Sequence, residues 1–393
     1  MQIVAPFGEA QDLPLLSSQS QLCPDSNGGH CFAGGRIWHG CPARKQPLHP
    51  PQPTMQPIEV LLLSRADILA LELTPKAVVD VVTLALREHA AGTYEMHPKI
   101  GVHPTGTDPA NFIHAMPAYL RQLGACGLKW VAGFAKNYQR DLPNVTGVQV
   151  YNDTATGIPL AIMDCGYLTG LRTAAVSAIA AREGARRGAE TLALAGCGFE
   201  GTMHLRFITH EIPTIRQVRL RDIRPEAMTA LKATAGSYFA GDIELCPDNG
   251  SCLNGADVIS TCTNGDEQLV RPEWFKPGAM AVGIEGGCAF TAEALHSADK
   301  FIVDDIPLAE YFDKIGRDRL TEDGRPDPEF PGGMPRVHAT IGELVTGKKP
   351  RRENDHERII AIPIGMAICD IALAHLAYQT ALQKKLGQRF RLV

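Results

Sequence analysis

Thr191-Leu-Ala-Leu-Ala195, running directly into Gly196-Cys-Gly198-Phe-Glu-Gly201, then a helix-like segment, then Val218-Arg-Leu-Arg-Asp222, is the stretch on which the fold reading turns. A short apolar run closed by glycine reads as a buried strand, and G-x-G-x-x-G follows it without a spacer. In that pattern the first glycine, Gly196, makes the tight turn. Gly198 lets a pyrophosphate approach the backbone, and Gly201 lets helix and strand pack closely. The helix opening there, through Phe199 and Glu200, turns unpaired N–H groups and a positive dipole end toward the phosphates. Asp222 ends the next strand, where a carboxylate accepts hydrogen bonds from both ribose hydroxyls of NAD. A 2′-phosphate would be repelled by Asp222, with Arg221 and Arg224 close enough only to soften this, so NAD(H) is expected in preference to NADP(H). Gly-rich turns also occur in other α/β folds. The strand before, the helix after and the acid in place make dinucleotide binding the reading.

Working outward, 393 residues suit two domains better than one core, one of them split in sequence. Apolar residues at 45% supply a packed interior, and a net charge of −5 gives no electrostatic case for nucleic acid or an anionic membrane. No apolar run reaches the roughly 18–20 residues of a spanning helix. The 11 cysteines lie scattered, several inside apolar segments, without C-x-x-C pairs. That favours a reducing cytosol and no structural metal. Residues 1–54 read as a disordered leader, or as upstream sequence before a true start at Met55. Cys23, His30, Cys31 and Cys41 within it suggest at most adventitious metal binding.

From Met55 strand and helix alternate. Ile58–Leu63 is expected as the first strand. Thr74 is a good N-cap with Pro75 at the first helical position, and Gly92 supplies the stop. Extended segments follow at 97–103, 127–131, 147–151 and 160–164, the last two forming a hairpin around Asn152–Gly157. Leu171–Arg187 reads as an Ala-rich helix. After the Gly loop the strand rhythm continues at 242–246, 256–260, 279–283 and 301–304, then at 359–363 before a long helix from Met366 to Lys385. The expected architecture is α/β: a Rossmann dinucleotide-binding domain at 171–344, and a discontinuous α+β substrate and dimerisation domain at 55–170 and 345–393.

Met96-His-Pro-Lys99, Ala115–Tyr119, Gly127-Leu-Lys-Trp-Val131, Leu168-Thr-Gly-Leu-Arg-Thr-Ala-Ala175, the Gly196 loop and Gly365–Asp370 occur in one order. Together they resemble the ornithine cyclodeaminase/μ-crystallin family, which also includes archaeal-type alanine dehydrogenases and several ketimine or imine reductases. The resemblance runs from about Met55 to the C-terminus. It implies that Lys99, Lys129 and Arg172 hold a substrate carboxylate, with Lys129 also catalytic. It implies too that Arg172 and Thr173, at the opening of a helix, serve the cofactor. Lys129 taken alone is an ordinary strand lysine. Flanked by Leu128, Trp130 and Val131 it is expected to be partly buried, which requires an anion beside it. Thr261, Thr263, Gly283 and Gly365 follow strand ends and are expected at the cofactor cleft.

The sequence departs from the family pattern in three places. Where relatives carry Gly-Ala-Asp or Gly-Ser-Asp, with that Asp as acid/base at the substrate nitrogen, this chain has Gly283-Ile-Glu285. Glu285 is expected to do that work with a longer reach. Pro363-Ile-Gly365 stands where many relatives have Ser-x-Gly, and the loop Asn137–Asn144 is longer. His97, His103 and Asp304-Asp305 read as structural, and Arg351–Arg358 as a solvated charged loop.

Three functions follow. The first is an NAD(H)-dependent oxidoreductase interconverting a small 2-amino or N-substituted amino acid and its imine or 2-oxo acid. The second is an ornithine cyclodeaminase that recycles its NAD, and the third a non-catalytic binding protein of the μ-crystallin kind. The first is preferred, because the half before Gly196 is most similar to the alanine dehydrogenase branch. A homodimer is implied by the resemblance, and the cysteine usage points to the cytoplasm.

Overall fold

The computed structural model describes residues 56–104, 111–134, 136–264, 268–285, 289–311 and 333–393. The expectations for the 1–54 leader, for its Cys23, His30, Cys31 and Cys41 and for a start at Met55 lie outside the described residues.

The chain opens with β1 (Glu59–Leu63), α1 (Arg65–Ala70) and α2 (Pro75–Ala91). Thr74 caps α2, its hydroxyl accepting from the Ala77 N–H, and Gly92 ends it at φ 69°. Then come β2 (Tyr94–Met96), β3 (Ile100–Val102), β4 (Phe112–Leu120), β5 (Ala125–Gly133), β6 (Val145–Asn152), β7 (Pro159–Asp164) and α3 (Gly166–Gly184). The second half runs β8 (Thr191–Ala195), α4 (Phe199–Glu211), β9 (Gln217–Arg221), α5 (Pro225–Ala235), β10 (Asp242–Leu245), α6 (Asn249–Leu253), β11 (Val258–Thr261) and β12 (Met280–Gly283). It continues through α7 (Ala292–His296), β13 (Lys300–Val303), α8 (Ile306–Tyr311), β14 (Val337–Thr340), α9 (Ile341–Thr346), β15 (Ile359–Ile362), α10 (Ala367–Lys384) and β16 (Gln388–Arg391).

Two eight-stranded sheets result. The first has the order β16-β1-β7-β6-β5-β4-β2, with β3 also on β4, and is mostly antiparallel. The second, β10-β9-β8-β11-β12-β15-β13-β14, is parallel throughout. Its strands β8, β11, β12, β13 and β15 are buried at nearly every residue, as a parallel sheet covered on both faces requires. Strand order reverses between β8 and β11, which is the switch point where such sheets bind ligands outside the strand C-termini. Helix α10 is buried along most of its first eleven residues, packed over β4, β5 and β6.

Two boundaries differ from the sequence reading. Ile359–Ile362, expected in the first domain because it follows 345, is an inner strand of the parallel sheet between β12 and β13. Its unbroken Ile-Ile-Ala-Ile run suits a strand with two apolar faces. Helix α3 begins at Gly166, not Leu171, and ends at Gly184. Gly170 is tolerated inside it because the Phe199 ring lies where a Cβ would go, 2.4 Å away. The carboxy-terminal strand β16, exposed and polar, carries no pattern that marks it in the sequence.

Candidate active site

The Gly loop after β8 is built as its glycines demand. Gly196 has φ 94°, and a Cβ there would lie 2.3 Å from the Cys262 carbonyl oxygen. A Cβ at Gly201 would lie 1.9 Å from the Gly196 carbonyl oxygen, so both positions admit only glycine. Gly198, the N-cap of α4, has nothing within 4 Å of its would-be Cβ and makes no side-chain cap. The Gly198 Cα thus faces open space at the end of α4 whose first N–H groups have no intrahelical partner. Asp222, one residue past β9, lies against the same loop. Its carboxylate accepts from the Cys197 N–H at 2.7 Å and the Arg224 N–H at 2.9 Å.

Glu200 sits in the first turn of α4. Burial pushes its carboxyl up to about 7, against the opposing pull of Arg172 and Lys129. Its Oε2 has no hydrogen-bond partner among the described residues. His204 approaches that oxygen at 3.8 Å, but burial holds its imidazole down to about 4, so it is neutral and makes no ion pair.

The first sheet delivers two lysines and helix α3 an arginine. Alternation along β5 turns Trp130 outward and Lys129 inward, opposite Met116 on β4 and Gln149 on β6. Lys129 is 1% exposed, and its Nζ donates to Asp370 Oδ1 at 2.8 Å. Arg172 Nε donates to the same oxygen at 2.9 Å. Asp370, on α10, is completely buried. Burial would raise its carboxyl, but Arg172 and Lys129 outweigh that and hold it below the usual range. Burial and Arg172 lower Lys129, with Asp370 opposing. The anion that the buried lysine requires is thus supplied by the chain itself, from a residue the sequence reading left without a role. One carboxylate oxygen is thus shared by two basic side chains.

Lys99 enters where a β-ladder breaks. β2 pairs Met96 with Ala118 and β3 pairs Ile100 with Ala115, so 97–99 leave the ladder opposite Met116-Pro117. Pro117 has no N–H to offer there. Half-buried Lys99 donates from Nζ to the Ile364 carbonyl oxygen at 2.6 Å. Burial, then Arg172 and Lys129, lower its ammonium to about 7. The N–H of the same peptide unit, at Gly365, donates to Asp304 Oδ2 at 2.6 Å. Asp304 ends β13, is fully buried, and has its carboxyl raised by that burial. Gly365 has φ 96°, and a Cβ there would lie 2.9 Å and 3.2 Å from the two Nη atoms of Arg172.

Glu285, past β12, is tied to the loop after β11. Oε2 accepts from Thr261 Oγ1 at 2.8 Å, and Oε1 accepts from the Thr263 N–H at 2.5 Å and its Oγ1 at 3.1 Å. A Cβ at Gly283 would lie 2.7 Å from Thr261 Oγ1. Thr261, Thr263, Gly283 and Glu285 form one unit at the sheet's C-terminal edge, and burial raises the Glu285 carboxyl.

Several expectations need correction. Arg172 and Thr173 do not open a helix: they are the seventh and eighth residues of α3, so the Thr173 N–H belongs to the helix interior rather than to an N-terminus. The loop at 351–358 is more than a solvated face. Arg352 donates to the Gly184 carbonyl at 2.9 Å, and nearly buried Lys300 meets Glu353 at 2.7 Å. Asp305 pairs with His89 of α2 at 2.9 Å and caps Leu308. Asp304 and Asp370 escaped as site residues. Asp370 is the lone acid in the apolar run Ala367-Ile-Cys…Ile371, and Asp304 the first of two acids closing the apolar run Phe301-Ile-Val, which was the available signal. No cluster of metal-binding side chains is found among the described residues.

The family model of the ornithine cyclodeaminase/mu-crystallin family matches residues 59–385. The chain belongs to this family. It is 31% identical over 340 residues to N-((2S)-2-amino-2-carboxyethyl)-L-glutamate dehydrogenase of Staphylococcus aureus, covering 85% of this chain and 99% of that one. Among solved structures it resembles an archaeal alanine dehydrogenase dimer with bound NAD (TM-score 0.74, 30% identity, 86% of this chain and 100% of that one). It also resembles the Thermococcus litoralis Delta(1)-pyrroline-2-carboxylate reductase in complex with NADH and L-proline (TM-score 0.72, 25% identity, 84% and 99%).

Proposed function

We propose that this chain is an NAD(H)-dependent oxidoreductase interconverting a small 2-amino or N-substituted amino acid and its imine or 2-oxo acid. The observation that carries the reading is the cluster of Lys99, Lys129 and Arg172, two of them sharing one buried oxygen of Asp370. A substrate carboxylate supplies the charge that this excess of buried cations lacks. Arg172, anchored through Nε, keeps its Nη pair for a two-pronged contact. Lys129 adds a point charge held rigidly by Asp370.

The dinucleotide fits the Gly loop: Gly198 is the open approach, the first turn of α4 supplies N–H groups, and Asp222 is placed to accept from a ribose. Bound nicotinamide would take up or give the hydride at the substrate Cα. The chain's own residues orient the carboxylate and exclude water around Lys129 and Asp370, both essentially inaccessible. Relatives that act on amino acids and imines with this cofactor support the substrate class. We further read residues 171–344 with β15 as the cofactor domain and the first sheet as the substrate domain. On its outer face Ile100, Val102, Trp130 and Val148 are 62%, 56%, 44% and 40% exposed, which suits a homodimer, as in the archaeal relative. No helix among the described residues is long and apolar enough to cross a membrane, and the reading places the enzyme in the cytoplasm.

The test is incubation with NAD⁺ and a panel of L-amino acids including alanine and ornithine, following NADH absorbance and ammonia. NADH accumulating with one amino acid supports the dehydrogenase. Ammonia and proline from ornithine without net NADH replaces it with the cyclodeaminase. Silence there and in the reverse assay with 2-oxo acids, cyclic imines and amines favours a binding protein.

A further inference from the structure

Hydride transfer from an amino acid requires that the substrate ammonium first lose a proton, so some group must face it as a base. The other ionisable groups of the site differ in how they are held. Glu285 receives three hydrogen bonds from Thr261 and Thr263. Asp370 is completely buried under two cations, and Asp304, also completely buried, accepts the Gly365 N–H. Lys129 is 1% exposed and ion-paired. Arg172 cannot give up its proton. His114 is 8% exposed and stacked on Phe112 at 4.3 Å. Glu200 lies in the first turn of α4 with its Oε2 unpartnered among the described residues, and is the rival that the Glu200→Gln variant tests. The amine of Lys99 differs from all of these. It is half-buried at a break in the first sheet, donates to the Ile364 carbonyl oxygen at 2.6 Å, and its flexible stem reaches the C-terminal edge of the second sheet beside Gly365.

We propose that Lys99, rather than Glu285, is the proton-transfer residue of the reaction, and that the Ile364–Gly365 peptide, pinned from its other end by Asp304, positions it. This rests on the oxidoreductase reading above. In the oxidative direction the neutral Lys99 amine takes one proton from the substrate ammonium. A substrate N–H bond breaks, an N–H bond forms on Lys99, and the substrate is left as a free amine. Its Cα then gives a hydride to NAD⁺, yielding the iminium and NADH, and Lys99 returns its proton to water. In the reductive direction the Lys99 ammonium protonates the newly formed amine. The groups that set its titration are Arg172 on α3 and Lys129 on β5, which lower it, and Asp304 after β13 and Asp370 on α10, which raise it. His114 on β4 also faces it, and is neutral because burial, Lys99 and its other neighbours hold it at about 4.

The test is a pH profile of oxidative kcat/KM on the full chain, with Lys99→Arg, Lys99→Ala, Glu285→Gln and Glu200→Gln beside the parent. Expected is an ascending limb with a midpoint near 7, since the amine must be neutral. Lys99→Arg keeps a donor beside the substrate but cannot become neutral, so KM stays within about threefold while kcat falls about 100-fold or more, the usual worth of a positioned acid or base. Methylamine restores turnover to Lys99→Ala in proportion to its unprotonated form. Glu285→Gln lowers kcat but leaves the midpoint in place. Parent-like kcat in Lys99→Arg, or loss of the limb in Glu285→Gln or Glu200→Gln but not in Lys99→Arg, overturns the proposal. If the parent oxidises no amino acid, the function reading fails instead. Lys99 is then judged by the pH dependence of its acylation by acetic anhydride, read by peptide mass spectrometry. A midpoint near 7 sustains the amine's role as a proton carrier, and one near the ordinary lysine value of about 10.4 removes it.

Discussion

Replacing Asp370 by asparagine removes the one carboxylate that stands between Lys129 and Arg172 without changing the side chain's size. Lys129 at 2.8 Å and Arg172 at 2.9 Å both lose a charged acceptor, in a place where Asp370 is completely buried. Breaking a buried pair by deleting one partner costs about 3–5 kcal/mol, because the remaining charge has no water to return to. Lys129 can limit the loss by giving up its proton. At pH 7 that route costs at most about 1.4 kcal/mol for each unit between 7 and the unfolded value of about 10.4, or near 5 kcal/mol, so it competes with the same figure. At about 2 °C per kcal/mol for a large domain, the melting temperature should fall by about 6–10 °C at pH 7. The sign with pH follows. In the variant the folded-state pKa of Lys129 lies below its unfolded value, so stability is least where both states hold the proton and recovers as pH rises toward 10. Thermal melts by circular dichroism at pH 7 and 9.5 read both effects. A fall under about 2 °C, or one identical at the two pH values, would refute the claim that Asp370 compensates the two cations.

Gly365→Ala places a methyl 2.9 Å from one Arg172 Nη atom and at φ 96°, so the guanidinium must move. The expected outcome is a KM for the amino-acid substrate raised about tenfold or more with NAD⁺ affinity little changed, read by steady-state kinetics and cofactor titration. Gly201→Ala, with its Cβ 1.9 Å from the Gly196 carbonyl oxygen, should abolish NADH binding measured by fluorescence, and unchanged binding would contradict the loop geometry. Glu200 titrates at about 7 beside the phosphate-binding turn, so its negative form opposes a bound pyrophosphate. NAD⁺ affinity should therefore weaken as pH rises through 7, and Glu200→Gln should flatten that dependence in calorimetric titrations. Asp257 is lowered to about 2: burial opposes ionisation, but Lys276, Arg186 and the Glu190 and Thr191 N–H groups outweigh it. Its stabilisation is present above about pH 4 and lost as pH falls toward 2, and Asp257→Asn should melt lower at pH 7 but not at pH 2.

What could be read from the sequence was whatever is decided locally. Helix α2 follows from Thr74, Pro75 and Gly92, because an N-cap hydroxyl, a fixed φ and a left-handed stop act within a few residues of themselves. The inner parallel strands β8, β11, β12, β13 and β15 follow from their mostly apolar runs, and the Gly loop from glycines whose would-be Cβ atoms strike backbone. Strand β4 was harder, since Pro117 interrupts the run while the pairing of β5 on one side and of β2 and β3 on the other carries it through. The start of α3 was misread because Gly166 and Gly170 look like a loop until Phe199, far along the chain, covers Gly170. The same distinction separates the site residues. Lys129 and Arg172 stand out in their motifs. Asp370, 241 residues beyond Lys129, becomes their counter-ion only through tertiary packing.

The Ile364–Gly365 peptide shows why the acid/base role could not be assigned from motif position alone. A carboxylate after β12 satisfies the linear pattern, yet Glu285 reaches back to Thr261 and Thr263, its longer side chain finding three donors on the neighbouring strand's loop. Burial raises that carboxyl, while the three donors oppose the rise and engage both of its oxygens. One peptide unit meanwhile ties Lys99 at its carbonyl to Asp304 at its N–H, and its glycine lies against the Arg172 fork. Three segments more than 60 residues apart thus meet on a turn that only glycine can make. A substitution that restores aspartate at 285 tests whether that division of labour is built in. The shorter carboxylate should lose at least one threonine contact, and, with Lys99 in place, the acid limb of the pH profile should stay near 7. If the limb instead moves toward the carboxylate range, the carboxylate at 285 and not Lys99 sets the proton transfer.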